Sequence, residues 1–286
     1  MEMNVSNEQA VAPKKQGGLN PALILPILLV VAVIIYLFVL GSPANFAENA
    51  KISGGSVAFS DVPSKDLGPQ GFMGIIYMGG IIVPVLIFFL LTVIVFSLER
   101  LFVLNKAQGK GNLEAFVVKI RTLLDQNKID EAIEECDAQQ GTVGNVVREG
   151  LTTYKALAND TTLNKEQKMV ALNKAIEEAT TLEMPMLEKN MMILSTLGTV
   201  STLVALLGTV IGMIKAFFAL GSGGGTPDAA ALSIGIAEAL INTALGIGTS
   251  AIAIILYNFF TSKIDGMTYK IDEIAMSIQQ SFAEHN

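Results

Sequence analysis

A single acidic residue stands inside one of the most apolar stretches of the chain. Between positions 191 and 262 the charged residues are Lys215, Asp228 and Glu238. Glu238 lies about seven residues, or ~10 Å, inside the apolar run 231–260. A carboxylate at that depth in a membrane is costly unless it faces protein or water, and such acids commonly handle protons or other cations. Glu238 is therefore the first candidate for chemistry.

Polar and small side chains continue from Glu238 along one side of the same predicted helix. At about 100° per residue, Asn242 and Thr249 lie within about 40° of Glu238. In the preceding apolar run Thr209 lies ~17 Å below the outer end, and Thr243 lies at the same depth in its own run. The sequence therefore predicts that these side chains line a shared passage. Hydroxyls between membrane helices also serve simply to pack them, and that alternative stays open.

One basic residue, Lys215, could act on the acid directly. Its predicted depth is ~8 Å, close to the depth of Glu238. The two side chains could pair within one chain or between copies, which would hold Glu238 ionised and make it a structural element of the wall. Lys215 could instead extend its ammonium group to the membrane surface. The sequence leaves both arrangements open.

The composition argues against most other classes of function. A net charge of −7 disfavours a nucleic-acid partner, which needs a basic face. One cysteine, Cys136, and one histidine, His285, provide neither an intrachain disulfide nor a Cys/His catalytic pair. The sequence has no nucleophile–base pair, phosphate loop or metal-ligand spacing. We therefore expect no enzymatic activity, no cofactor and no bound metal.

The elements that position these residues are predicted membrane helices. Hydrophobic residues make up 51% of the chain and charged residues 16%, which is more apolar than the usual soluble domain. Four apolar runs, which we call the first to fourth spans, are long enough to cross a bilayer as helices. They are residues 21–40, 74–98, 191–220 and 231–260. The first run has Lys14 and Lys15 before it, as a signal peptide would, but its apolar length favours a retained helix.

Basic residues indicate the side of the membrane on which each connecting segment lies. Lys14 and Lys15, Arg100 and Lys106, and Lys263 all flank the spans on one side, which the positive-inside rule makes cytoplasmic. Both termini are then predicted to be cytoplasmic. The cytoplasmic segments are a tail (1–20), a domain (99–190) and a C-terminal helix (261–286), and the outer segments are a loop (41–73) and a link (221–230).

The middle segment is predicted to be helical because its apolar residues recur at helical spacing. One such run starts at Leu163 and continues without a clear stop into the third span. We therefore expect a single long helix, bent at Pro185, that extends the third span into the cytoplasm. The predicted fold class is all-α: a polytopic membrane protein with four transmembrane helices and a helical cytoplasmic domain.

Two sequence motifs resemble a known family. Residues 206–213 have the sequence LLGTVIGM, residues 235–246 have the sequence GIAEALINTALG, and the fourth span ends in Tyr257 and Asn258. These segments resemble the MotA/TolQ/ExbB proton-channel family and are most similar to its ExbB and TolQ members. Glu99 followed by Arg100 at the end of the second span, and Pro185 before the third, add to the resemblance.

The resemblance implies roles for particular residues. Thr209 and Thr243 correspond to the family's pore-lining threonines and Glu238 to its acid in the last span. Asn258 corresponds to the polar residue at the cytoplasmic end of that span. The chain departs from the family pattern at Lys215, where a neutral residue or histidine is common.

The resemblance also implies an assembly and a function. It predicts a homopentamer in the bacterial inner membrane whose pore holds single-span helices of an ExbD-like partner, in two copies. Proton passage would turn the pentamer around that partner and, through a TonB-like protein, energise outer-membrane transport. The first span is an addition to the three-helix ExbB plan. A TolQ-like role, a gliding or flagellar stator and a non-conducting scaffold are the alternatives.

Overall fold

The computed structural model describes residues 19–46, 52–53, 56–57, 71–221 and 229–285. Residues 1–18 of the predicted N-terminal tail, with Lys14 and Lys15, lie outside the described residues, as do most of the outer loop and Asp228. The α-helices are α1 (Pro21–Ile34), α2 (Phe72–Tyr77), α3 (Val83–Ala107), α4 (Leu113–Asp125), α5 (Ile129–Gln139), α6 (Gly141–Ala158), α7 (Lys165–Glu188), α8 (Met191–Gly221) and α9 (Ala229–His285). A π-helix (Ile35–Leu40) continues α1, and short strands β1 (Ile52–Ser53) and β2 (Ser56–Val57) pair antiparallel.

Four helical stretches are long and apolar enough to cross a membrane. By length and composition they are Pro21–Leu40, Gly80–Ala107, Met191–Gly221 and Ala231–His285. Helices α4 to α7 are more polar than the spans and pack beside one end of this group. The predicted all-α membrane fold with four spans is therefore confirmed.

The spans meet the polar helices at one end of the bundle. Leu19, just before α1, donates its amide to Glu99 Oε1 at 3.3 Å and accepts at its carbonyl from Asn190 Nδ2 at 3.3 Å. The start of α1, the last turns of α3 and the start of α8 therefore lie together. We call this the domain end, and we call the opposite end, where α8 ends and α9 begins, the distal end.

The first span begins where its sequence predicts. The Asn20 side chain accepts a hydrogen bond from the Ala22 amide at 3.1 Å, and Pro21 occupies the first turn. Both features favour a helix start, because the first amides of a helix have no intrahelical acceptor. Near the distal end the helix widens, and Gly41 donates to the Tyr36 carbonyl five residues earlier.

A pair of glycines interrupts the second apolar run. Helix α2 ends at Tyr77, and a short 3-10 turn (Gly80–Ile82) leads into α3. Gly80 has a φ of +76°, which side chains with a Cβ rarely adopt. Pro84 then lies in the first turn of α3, where its missing amide proton removes no hydrogen bond.

The third span does not continue from the domain as one helix, which corrects the expectation from its sequence. Helix α7 ends at Glu188, and Asn190 adopts a φ of 62° before α8 begins. The cause is tertiary: the Arg100 guanidinium donates to the carbonyls of Met186 and Leu187, both at 3.3 Å. These contacts satisfy carbonyls at the end of α7 that would otherwise need a further helical turn.

Arg100 is itself anchored at this junction by Glu99. The two side chains form a bidentate pair with N–O distances of 2.6 and 2.7 Å, and Arg100 is fully buried. The carboxylate of Glu99 also contacts the side chain of Asn190 at 3.4 Å. One buried ion pair thus joins α3, the α7–α8 break and the start of α1.

Helix α9 is the longest element and unites the two parts of the molecule. Its 57 residues run from the distal end through the bundle into the polar domain without interruption. The segments predicted separately as 231–260 and 261–286 therefore form one helix. Within the domain its buried apolar residues are spaced three or four apart, as on one face of a helix. They are Ile264, Met267, Ile271, Ile274, Ile278 and Phe282.

The domain packs around this end of α9. Phe116 and Ile120 of α4, Val147 of α6 and Leu172 of α7 belong to the same buried cluster. Cys136 on α5 is buried there too, and burial raises the pKa of its thiol from 9.0 to about 12. The cysteine therefore behaves as a small apolar residue of the core.

Candidate functional site

The candidate site lies on the pair formed by α8 and α9, which approach closely at small residues. A Cβ added to Gly246 would lie 2.1 Å from the Cβ of Ala205, and one added to Gly212 would lie 2.8 Å from the carbonyl oxygen of Gly235. Backbones this close exclude larger side chains, as is typical of membrane helix pairs. The two helices therefore present their polar side chains from adjoining surfaces.

Thr209 and Thr243 meet across this helix pair. Their hydroxyl oxygens are 2.5 Å apart, and Thr243 also bonds to the carbonyl of Ala239 at 3.0 Å. Thr209 lies 3.2 Å from the carbonyl of Ala205. Both threonines are half-buried, so part of each residue is accessible from outside the chain. The structure thus brings the two hydroxyls to one level, in direct contact.

Lys215 and Glu238 form an ion pair nearer the distal end. Lys215 Nζ lies 2.6 Å from Glu238 Oε1. The Glu238 side chain is only 8% exposed, whereas that of Lys215 is 48% exposed. Of the two arrangements that the sequence left open for Lys215, the structure contains the pair within one chain. The lysine covers the carboxylate from its open side.

Asn242 and Thr249 lie inside the protomer. Asn242 is fully buried against Gly208, and among the described residues neither atom of its amide has a hydrogen-bond partner. Thr249 is buried and donates to the carbonyl of Leu245 in its own helix. Asn258, by contrast, is exposed, close to where α9 enters the domain. The polar side of α9 is therefore divided between an accessible part and a part sealed against α8.

Sequence reasoning missed one contributor to the site, which is Gly80. The ion pair rests against it, since a Cβ at Gly80 would lie 2.4 Å from Glu238 Oε1. The available signal was the Gly79–Gly80 pair inside an apolar run, where glycine often marks a break or a close backbone approach. Nothing in the sequence, however, indicates which helix approaches that break.

Comparison with known proteins places this arrangement in a family. A profile of the MotA/TolQ/ExbB proton channel family matches residues 139–273, which contain Thr209, Glu238 and Thr243. The Tol-Pal system protein TolQ of Pseudomonas aeruginosa is 31% identical over 159 residues, which cover 54% of this chain and 67% of TolQ. The chain belongs to the MotA/TolQ/ExbB proton channel family. Membership in the MotA/TolQ/ExbB family, which the sequence motifs suggested, is thus confirmed.

Two further members of the MotA/TolQ/ExbB family define how far the similarity extends. The biopolymer transport protein ExbB of Xanthomonas campestris pv. campestris is 34% identical over 113 residues, 39% of this chain and 44% of that protein. A putative ExbB homologue of Methanothermobacter thermautotrophicus is 27% identical over 188 residues, 65% of this chain and 62% of its own length. The chain thus spans less than half of the Xanthomonas relative.

Proposed function

We propose that the chain is an ExbB-like subunit of an inner-membrane motor driven by the proton-motive force. Five copies form a pore around two single-span helices of an ExbD-like partner, and a TonB-like protein carries the work to outer-membrane transporters. Family membership and the names of the ExbB relatives support this proposal. It assigns the chain no catalytic activity, cofactor or metal.

The contact between Thr209 and Thr243 is the observation that carries the proposal. Each hydroxyl bonds within the chain, to the other hydroxyl and to a carbonyl of its own helix, and keeps lone pairs that can accept further hydrogen bonds. Lipid offers no donors to these lone pairs, whereas a second chain or a water-filled pore does. Hydroxyls already in contact can also pass a hydrogen-bonded proton between the helices. The geometry therefore favours a shared conducting axis over a free-standing bundle.

The distribution of basic residues supports a cytoplasmic domain. Arg100, Lys106 and Lys263 lie towards the domain end, and cytoplasmic segments carry the excess of Lys and Arg. The start of α1 and the end of α9 lie at this same end. Both termini are then cytoplasmic, as the sequence also predicts.

Proton flux into proteoliposomes tests the proposal. The chain is reconstituted with a single-span partner that carries a membrane aspartate, and an imposed potential supplies about 2.3 kcal/mol per proton per 100 mV. We expect Thr209→Val and Thr243→Val each to lower the flux about tenfold, the equivalent of ~1.4 kcal/mol. Thr92→Val is the matched control, because Thr92 is buried in α3 and bonds to its own helix at Phe88. Absent flux would favour a non-conducting scaffold, and flux that is unchanged in the Thr209 and Thr243 variants would contradict the role of the two hydroxyls.

A TolQ-like role is the second candidate, because the TolQ relative is covered over 67% of its length, against 44% for ExbB of Xanthomonas. The two roles differ in the effect of deleting the gene. An ExbB-like subunit is required for uptake through outer-membrane transporters, whereas a TolQ-like subunit is required for envelope integrity. Leakage of periplasmic proteins with unimpaired uptake would favour the TolQ-like role.

A further inference from the structure

The break between α2 and α3 lies directly against the ion pair of the site. A Cβ at Gly80 would lie 2.4 Å from Glu238 Oε1 and 3.0 Å from Glu238 Cδ. A Cβ at Gly79 would lie 2.9 Å from a methyl group of Ile241, on the next turn of α9. The distances of 2.4 Å to Glu238 Oε1 and 2.9 Å to Ile241 are shorter than the contacts that real Cβ atoms make. The backbone of this break is therefore in close contact with α9.

Gly80 and Lys215 therefore confine the Glu238 carboxylate between them. Lys215 Nζ contacts Oε1 at 2.6 Å, and the Gly80 backbone lies beneath the same oxygen. Because the Glu238 side chain is only 8% exposed, it has little room to adopt another rotamer. The position of the break thus decides where the carboxylate meets the lysine.

The first span fixes the position of this break. The ring of Tyr36 stacks on the ring of Tyr77 with centroids 4.6 Å apart, and the Tyr36 hydroxyl donates to the Tyr77 carbonyl at 3.3 Å. Tyr77 is the last residue of α2 and lies two residues before Gly79. A Cβ at Gly41 would lie 2.8 Å from the Tyr77 ring, so the end of the π-helix is also in close contact.

We propose that the first span positions the Lys215–Glu238 ion pair: Tyr36 holds Tyr77, and the Gly79–Gly80 break that follows holds the carboxylate of Glu238. Tyr36 and Gly80 are positioning residues that act through their neighbours. The first span, an addition to the three-helix plan, then determines the position of the Glu238 carboxylate. The inference concerns the ion pair and does not depend on proton passage, so the two proposals can fail separately.

Gly80→Ala tests the contact beneath the carboxylate. In isotope-labelled protein in lipid, the ion pair gives a carbon–nitrogen cross-peak between Glu238 Cδ and Lys215 Nζ. The added methyl group must displace the carboxylate, so we expect this cross-peak to be lost. Gly71→Ala is the matched control, because Gly71 also has a positive φ, of +105°, but has open space around its Cβ position. A cross-peak that survives in Gly80→Ala would overturn the contact role of Gly80.

Tyr36→Leu tests the role of the first span while the Glu238 side chain itself is kept, and it decides the matter if Gly80→Ala does not fold. It removes both the ring stack and the hydrogen bond to Tyr77. We expect a weaker cross-peak and a shift in the infrared carboxylate band of Glu238. Phe38→Leu, on the same π-helix but 57% exposed, is expected to change neither signal. Equal spectra for the two variants would overturn the proposal.

Discussion

Glu238 is a buried carboxylate whose partner of opposite charge, Lys215, is half-exposed. Removing a charge from water is expensive, and a nearby opposite charge offsets that cost only while the geometry is kept. Lys215 provides that charge at 2.6 Å. The surroundings of the Glu238 carboxylate therefore depend on the placement of one flexible lysine side chain.

Replacing Lys215 by Met is expected to change the surroundings of the Glu238 carboxylate. The ammonium group that lies 2.6 Å from Glu238 Oε1 is removed, so the buried carboxylate loses its partner of opposite charge. Infrared spectra of the protein in lipid should therefore show a shifted carboxylate band of Glu238. Lys263→Met, which removes a lysine bonded to Asn105, should leave the band intact. An unchanged band in Lys215→Met would contradict this role of the pair.

Cys136 is expected to make the domain less stable at alkaline pH. Its pKa is about 12 in the folded protein and 9.0 for an ordinary thiol, so only the unfolded chain loses the proton between these values. This contribution to stability is fully present below about pH 9 and falls by ~1.4 kcal/mol per pH unit between about pH 9 and pH 12. Denaturant unfolding of the wild type and of Cys136→Ala at several alkaline pH values measures the difference. Parallel pH profiles for the two proteins would contradict the prediction.

The sequence predicted the depth of the polar side chains better than the direction in which they point. The predicted common depth of Thr209 and Thr243 agrees with their contact. The helical wheel placed Asn242 and Thr249 beside Glu238, but a wheel does not show which neighbour each angle faces. Gly208 determines which neighbour Asn242 faces, because the absence of a side chain at Gly208 lets α8 pack directly over Asn242.

Among the elements, the junction at the domain end depends on one buried ion pair. Glu99 and Arg100 are adjacent in α3, and their contacts reach both the end of α7 and Leu19 before α1. Arginine suits this position because its planar guanidinium group can donate hydrogen bonds to a carboxylate and to backbone carbonyls at the same time. The junction thus fixes the angle at which the polar domain leaves the membrane bundle.

Arg100→Met is expected to destabilise the protein by about 3–5 kcal/mol, because it leaves Glu99 buried without its partner and two carbonyls without donors. Thermal unfolding in detergent, followed by circular dichroism, measures the loss. Arg121→Met is the control: Arg121 bridges to Glu273 on the surface, where such pairs contribute about 0–1 kcal/mol. Similar losses for both variants would contradict the importance of the buried junction.

Local signals were sufficient to predict some helix ends and insufficient for others. Asn20 followed by Pro21 starts α1 as expected, because capping needs only neighbouring residues. The breaks at Gly80 and Asn190 were not predicted, because contacts from distant helices stabilise them. For Asn190 those contacts come from Glu99 and from Leu19.

Helix α9 joins the membrane bundle and the polar domain into one folded unit. Its distal part carries Glu238 and Thr243, and its last turns form the centre of the domain core. The sequence predicted both halves of this helix but divided them at position 261, where composition changes from apolar to polar. Passing from an apolar to a polar environment does not end a helix unless the backbone also loses its helical hydrogen bonds.

Ile274→Ala is expected to reduce the stability of the domain by about 2–5 kcal/mol, because Ile274 is fully buried among α9 and its neighbours. Met276→Ala, two residues along the same helix but 69% exposed, should change it by less than about 0.5 kcal/mol. Hydrogen exchange should show the loss across α4 to α7 as well as α9. Exchange changes confined to the turn around Ile274 would contradict a single cooperative core.

The unbroken length of α9 has a mechanical consequence. Its 57 residues make a rod of about 85 Å. If the rod pivots about one tip, a tilt of one degree moves the other tip by roughly 1.5 Å, because the displacement is the length of the rod multiplied by the angle. A fluorescent label near Phe282 would therefore report, from the aqueous side, small movements that originate among the acyl chains.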